Sequence, residues 1–127
     1  MPFAIYVKKG AAPRIGRSFL LRAKNAVLGR SYDLSVAFVD DAAMGRANRV
    51  YRGRRVATDI LSFPLSRSSG EILLSMAEIR KRAKVFGRGA SNFLSFLFIH
   101  GLLHLKGYSH GSKMEREEEK IRRKFEI

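Results

Sequence analysis

Residues 91–110 are SNFLSFLFIHGLLHLKGYSH, and the rest of the architecture is arranged around what this segment forms. From Ser91 to Leu105 the chain is almost continuously apolar, longer than an ordinary strand and without a strand's alternation. It predicts a long apolar helix, the central one of the fold, ended by Gly107. Upstream, Ser75 stands three residues before Glu78, the capping-box spacing, and predicts a helix running to about Phe86, before Gly87 and Gly89. Residues 71–74 read as a strand, 67–70 as a polar turn, and 58–63 as a strand stopped by Pro64. Asp40-Asp41 predicts the N-cap of a helix that carries Met44, Ala47, Val50 and Tyr51. Residues 34–39 form a largely buried strand. Pro13 opens a helix with Ile15, Phe19, Leu20 and Val27 that ends near Gly29, and 3–7 is a short strand.

Downstream of the central helix, residues 112–125 predict a charged helix whose sparse apolar side is Met114, Ile121 and Phe125. Its run 116–124 alternates acids and bases and reads as a salt-bridged helix face, not an active site. Strands and helices mix without strict alternation. The expected class is therefore α+β: a small mixed sheet of about four strands packed with about five helices. A length of 127 residues, with no linker or repeat, predicts one domain over 1–127. No glycine-rich phosphate loop occurs, so nothing points to ATP or NAD.

Charge narrows the partner. Twenty-five Lys and Arg face 11 acidic residues, giving +14 and a pI near 11.0. A field of that size attracts polyanions, and nucleic acid is the expected one. There are no cysteines, which excludes disulfides and thiolate metal sites. No transmembrane helix and no signal peptide are expected, and the expected location is the cytoplasm with no membrane partner.

All three histidines fall within eleven residues: His100, His104 and His110. Four residues are about 1.1 helical turns, so His100 and His104 project from one helix face. Two ring nitrogens so placed can reach one metal at roughly 2.0–2.1 Å. The turn at Gly107 can bring His110 in as a third ligand. Three neutral nitrogens leave one tetrahedral position open, the mark of a catalytic zinc site. Zinc is the expected ion, and a three-imidazole site also accepts nickel, copper or cobalt. A zinc-protease helix places a glutamate directly after its first histidine; here that position is Gly101, and no carboxylate lies within the motif. Proton transfer must then use metal-activated water, a substrate phosphate oxygen or a carboxylate from elsewhere.

The segment from His100 to His110 resembles the signature of the YbeY family of bacterial endoribonucleases. A second stretch agrees, residues 48–64, with its Tyr51-Arg52-Gly53 and Thr58-Asp59-Ile60-Leu61-Ser62-Phe63-Pro64 elements. Gly70-Glu71-Ile72 is a weaker match. The resemblance covers about residues 34–125. It implies a metal-dependent, single-strand-specific endoribonuclease. The implied task is maturation of the small-subunit (16S) rRNA 3′ end and ribosome quality control, with the small subunit or its associated proteins as partners. It implies His100, His104 and His110 as metal ligands, and Arg52 as the counterpart of the family's conserved arginine. Ser109 and Glu71 stand where the family commonly has aspartates, and Ala57 where it often has proline. Ser109 supplies a hydrogen bond but no negative charge.

The expected catalytic residues are His104 and Arg52. A guanidinium offers a planar fork that matches phosphate oxygens and stabilises developing charge. Arg54 and Arg55 read as backbone-tracking cations, and Arg80, Lys81, Arg82, Lys84 and Arg88 as a second basic run. Phe93, Phe96 and Phe98 read as core packing that holds the histidine helix. Two rival functions stand beside this one. Another zinc hydrolase is disfavoured by Gly101 and by the absence of a deaminase's Cys and His-x-Glu pattern. A non-catalytic ribosome-assembly factor needs a structural metal, and such sites normally close with four protein ligands.

Overall fold

The computed structural model describes residues 3–8, 15–53 and 58–127, with the side chains of Tyr51 and Arg52 outside the described set. The element order is β1 (Phe3–Val7), α1 (Arg17–Leu28), β2 (Asp33–Val39), α2 (Asp41–Arg52), β3 (Ile60–Ser66), β4 (Ser69–Ser75), α3 (Met76–Val85), α4 (Ala90–Lys106) and α5 (Ser112–Lys124). The expected α+β class holds, with four strands in one mixed sheet. The strand order is β1-β2-β4-β3. β1 runs parallel to β2, and β2 parallel to β4. β3 and β4 form an antiparallel hairpin that places β3 at the sheet edge.

Local chemistry accounts for most boundaries. The Asp40 carboxylate accepts from the Ala43 N–H at 2.8 Å and starts α2. The Ser75 hydroxyl accepts from the Glu78 N–H at 3.2 Å and starts α3. Gly53 and Gly107, with φ of 70° and 111°, take the left-handed conformation that ends α2 and α4. The expected boundaries of the hairpin are corrected: the polar turn expected at 67–70 shortens to 67–68, because β4 starts at Ser69. β3 does not stop at Pro64 but continues to Ser66, with a register shift after the proline. An edge strand tolerates proline because its missing N–H costs no ladder bond. In α2, Met44 and Asn48 are the buried positions, whereas Val50 is exposed. The helix expected to open at Pro13 starts only at Arg17: Gly16 is its extended N-cap and Ile15 precedes it. Pro13 itself, Arg54, Arg55 and Ala57 lie outside the described residues.

α4 is the central helix. Leu94, Phe98, Ile99 and Leu102 are fully buried in the cluster that also holds Leu34, Val36, Phe38, Ile72 and Leu74 from the sheet. Each such side chain contributes about 1.5–3 kcal/mol on burial, so α4 is a rigid platform for whatever it carries. Two glycines set how closely it lies on the β3–β4 hairpin. A Cβ at Gly101 would stand 2.8 Å from both Ile60 Cδ1 and Ser62 Oγ. A Cβ at Gly70 would overlap the Tyr32 hydroxyl and press on Leu105 at 3.0 Å. The Ser62 hydroxyl donates to the Gly101 carbonyl at 3.3 Å, which ties the edge strand to the helix.

Candidate metal centre

His100 and His104 sit in the last two turns of α4, half-buried, where the buried face of the helix fixes their backbone. Gly107 caps the helix, its N–H donating to the His104 carbonyl at 3.0 Å, and the Tyr108 N–H donates to the Leu103 carbonyl at 3.1 Å. Gly111, at φ 151°, turns the chain into α5. Between these two glycines the chain folds back and delivers His110 to the α4 pair. The ring centroids of His100, His104 and His110 lie 4.7, 5.1 and 4.8 Å apart. One donor nitrogen from each lies within 4.8 Å of the others.

The outward nitrogens explain the inward ones. His104 Nδ1 donates to the Tyr108 carbonyl at 3.1 Å, and His100 Nδ1 donates to the Glu118 carboxylate. Both partners accept only, so each Nδ1 carries the proton and each Nε2 presents a lone pair. The two Nε2 atoms face each other at 3.1 Å. Lone pairs so aimed repel, and a cation between them turns repulsion into attraction. Two ligands of a tetrahedral zinc stand about 3.3 Å apart, from bond lengths of about 2.0–2.1 Å. The donor set therefore fits one borderline-soft divalent ion. Burial, followed by the neighbouring His100, holds the His104 pKa below its ordinary value. Its ring stays neutral, as a ligand must, to lower pH than a free imidazole.

The structure brings together all three expected ligands and adds a residue that the sequence reading placed elsewhere. Glu118 is buried on α5, inside the run expected to be only a salt-bridged face. That expectation is corrected: Arg123–Glu119, at 2.6 Å, is the one Lys/Arg–carboxylate pair on α5 among the described residues, and Glu118 serves His100. The signal was present, because Glu118 shares the apolar side of the helix with Met114, Ile121 and Phe125 at three- and four-residue spacings. The carboxylate missing from the motif thus arrives from α5, as an orienting group.

The remaining candidates are placed less closely. Arg52 is the last residue of α2, with its side chain outside the described set. Ser109 is exposed beside His110. Gly101 faces β3, so a carboxylate there would collide with the sheet. In the second basic run, Arg82 pairs with Asp59 at 3.3 Å and Lys81 with Glu78 at 3.6 Å. Phe93 and Phe98 are core, as expected. Phe96 is only half-buried, under the guanidinium groups of Arg88 and Arg122 at 5.1 and 5.4 Å.

Comparison with known proteins places this arrangement. The family model described as Endoribonuclease YbeY matches residues 10–126. Endoribonuclease YbeY of Wolinella succinogenes is 39% identical over 99 residues, covering 72% of this chain and 71% of that protein. The protein of the same name from Carboxydothermus hydrogenoformans is 37% identical over 103 residues, covering 77% and 70%. That from Chelativorans sp. is 32% identical over 130 residues, covering 91% and 80%. A solution structure of a Thermotoga maritima protein matches with a TM-score of 0.63 at 22% identity, over 96% of this chain and 91% of that one. That last likeness concerns the fold.

Proposed function

The chain belongs to the YbeY family of endoribonucleases, and on that premise we propose that it hydrolyses phosphodiester bonds in single-stranded RNA with one zinc ion held by His100, His104 and His110. The observation that carries this reading is the three-imidazole cluster itself, which no Asp or Glu joins as a fourth ligand among the described residues. A structural zinc normally has four protein ligands, whereas a catalytic one keeps a position open. When bound, the ion supplies Lewis acidity and an activated water at neutral pH.

The chain's own residues do the rest. Tyr108 and Glu118 hold the imidazoles in the tautomer that aims Nε2 inward. The packing of α4 on the hairpin fixes the direction of that aim. Arg52 holds the scissile phosphate through its planar fork and offsets the charge that builds on it. Gly101 leaves no room for a peptidase-type glutamate, which supports phosphodiester over peptide chemistry. The net charge of +14 supports a polyanionic substrate. The finer assignment rests on the family likeness: cytoplasmic maturation of the 16S rRNA 3′ end and ribosome quality control.

The test is cleavage of a single-stranded RNA by the purified protein with metal, after chelation, and as His104→Ala. Cleavage is expected to be lost in the last two and restored to the chelated wild type by zinc. Undiminished cleavage by the metal-free protein or by His104→Ala would sink the mechanism.

A further inference from the structure

α5 carries a second feature that the metal centre does not use. Lys113, Arg116, Lys120, Arg123 and Lys124 recur three or four residues apart or side by side. At about 100° per residue they fall within one arc of about 100°. All five are exposed, whereas Met114, Glu118, Ile121 and Phe125 turn toward the protein. Among the described residues only Arg123 of these five makes an ion pair, with Glu119; Lys113, Arg116, Lys120 and Lys124 make none. The basic run on α3 differs, since Lys81 and Arg82 are paired there. Glu117 and Glu119 border the groove of Arg116, Lys120 and Arg123, but of these two only Glu119 pairs with the stripe, so four of its cations keep their charge unpaired among the described residues. Neighbouring cations repel one another, and a bound polyanion relieves that repulsion.

The stripe also has a direction. Lys113 and Arg116 border the same open groove as His110, Lys106 and Tyr108. At the other end Lys124 borders a second groove, with Arg22 and Arg30 of the α1 side and with the edge-on pair Phe19 and Phe125. The 13 residues of α5 span about 20 Å between the two. A band confined to one side of a single helix suits one phosphate backbone.

We propose that single-stranded RNA lies along the outward face of α5, its phosphates tracking from Lys113 at the metal centre to Lys124 and the Arg22–Arg30 groove. The identity of the polyanion rests on the endoribonuclease reading; its path rests on α5.

The test is binding of a labelled single strand of about twelve nucleotides to the metal-free protein, by fluorescence anisotropy across a salt series. The variant Lys120→Gln/Arg123→Gln/Lys124→Gln removes three cations distant from the histidines. Its log–log salt slope is expected to shrink by about two, at about 0.7 per phosphate contact, with affinity lower by on the order of a hundredfold near 0.1 M salt. The control Arg46→Gln/Arg67→Gln/Arg80→Gln changes net charge equally at exposed positions off α5 that make no ion pair among the described residues, and is expected to keep most of the slope. An unchanged slope in the α5 variant overturns the path, as does an equal loss in the control. The path also falls if the α5 variant keeps RNA binding while losing binding to anionic phospholipid vesicles. Wild-type protein that neither binds nor cleaves the RNA overturns the endoribonuclease reading together with the path. That result is distinct from one in which both proteins bind alike.

Discussion

At the scale of single residues, the site depends on a carboxylate that is no ligand. Glu118 stands behind His100, holding its Nδ1 proton and leaving Nε2 for the ion. Groups in this position fix ring orientation and raise ligand basicity, and their loss typically costs about 10–100-fold in metal affinity. Glu118→Ala is therefore expected to weaken zinc binding by about that factor in a chelator-competition titration. Glu118→Gln, which keeps an acceptor but not the charge, is expected to fall between Ala and wild type. Equal affinity in all three proteins would remove the orienting role. The cluster of His100, His104 and His110 was legible because helical spacing and a glycine turn are local signals. Glu118 was not, because it lies 18 residues from His100 in a run whose other acids, Glu117 and Glu119, are half-buried and exposed. Only its position among Met114, Ile121 and Phe125 marks it as inward. Ser109 provides no negative charge and Glu118 does, so the negative charge this centre uses comes from α5.

Among elements, the decisive contact is α4 on the β3–β4 hairpin. Gly101 lies in the same turn of α4 as His100, so any shift of the helix there moves the ligands. With Ile60 Cδ1 and Ser62 Oγ each 2.8 Å from an added Cβ, Gly101→Ala must push α4 from the edge strand or distort both side chains. Overpacking of this kind costs about 1–3 kcal/mol. Urea unfolding is expected to show that loss, and zinc affinity to fall with it. Ser62→Ala is expected to restore part of both, since it removes one of the two obstructing groups. A Gly101→Ala protein as stable as wild type would show that the helix has slack. The starts of α2 and α3 were legible in the sequence because Asp40 and Ser75 satisfy the first free N–H groups with their own side chains, whereas α1, capped by Gly16 without a side-chain bond, starts later than Pro13 suggested. The end of β3 was not, because the rule that proline stops a strand holds for a central strand. That β3 is an edge follows from pairings far apart in sequence.

For the molecule as a whole, two charges of the same sign meet: a protein at +14 and a divalent cation. Strand order and this meeting are both global properties, and neither is written in any one segment. An ion held by His100, His104 and His110 would draw its ligands from α4 and from the loop that leads into α5, and would so fasten the C-terminal helix to the core. A ligand that binds only the folded state at a free concentration about 100 times its Kd adds about 2.7 kcal/mol. For a chain of this size about 1 kcal/mol moves Tm by roughly 3–5 °C. Saturating zinc is thus expected to raise Tm by about 10 °C, and a chelator to reverse it. His110→Ala keeps the α4 pair but loses the one ligand beyond the helix, and most of the shift is expected to go with it. Salt adds a second sign to the same measurement. The overall field repels the dication, and screening over a Debye length of about 8 Å at 0.15 M weakens that repulsion. Zinc affinity is therefore expected to hold or rise with salt, whereas RNA affinity falls. Calorimetry across a salt series reads the first and anisotropy the second. Zinc binding that weakens with salt as steeply as RNA binding does would mean that the histidines are not where the ion is held.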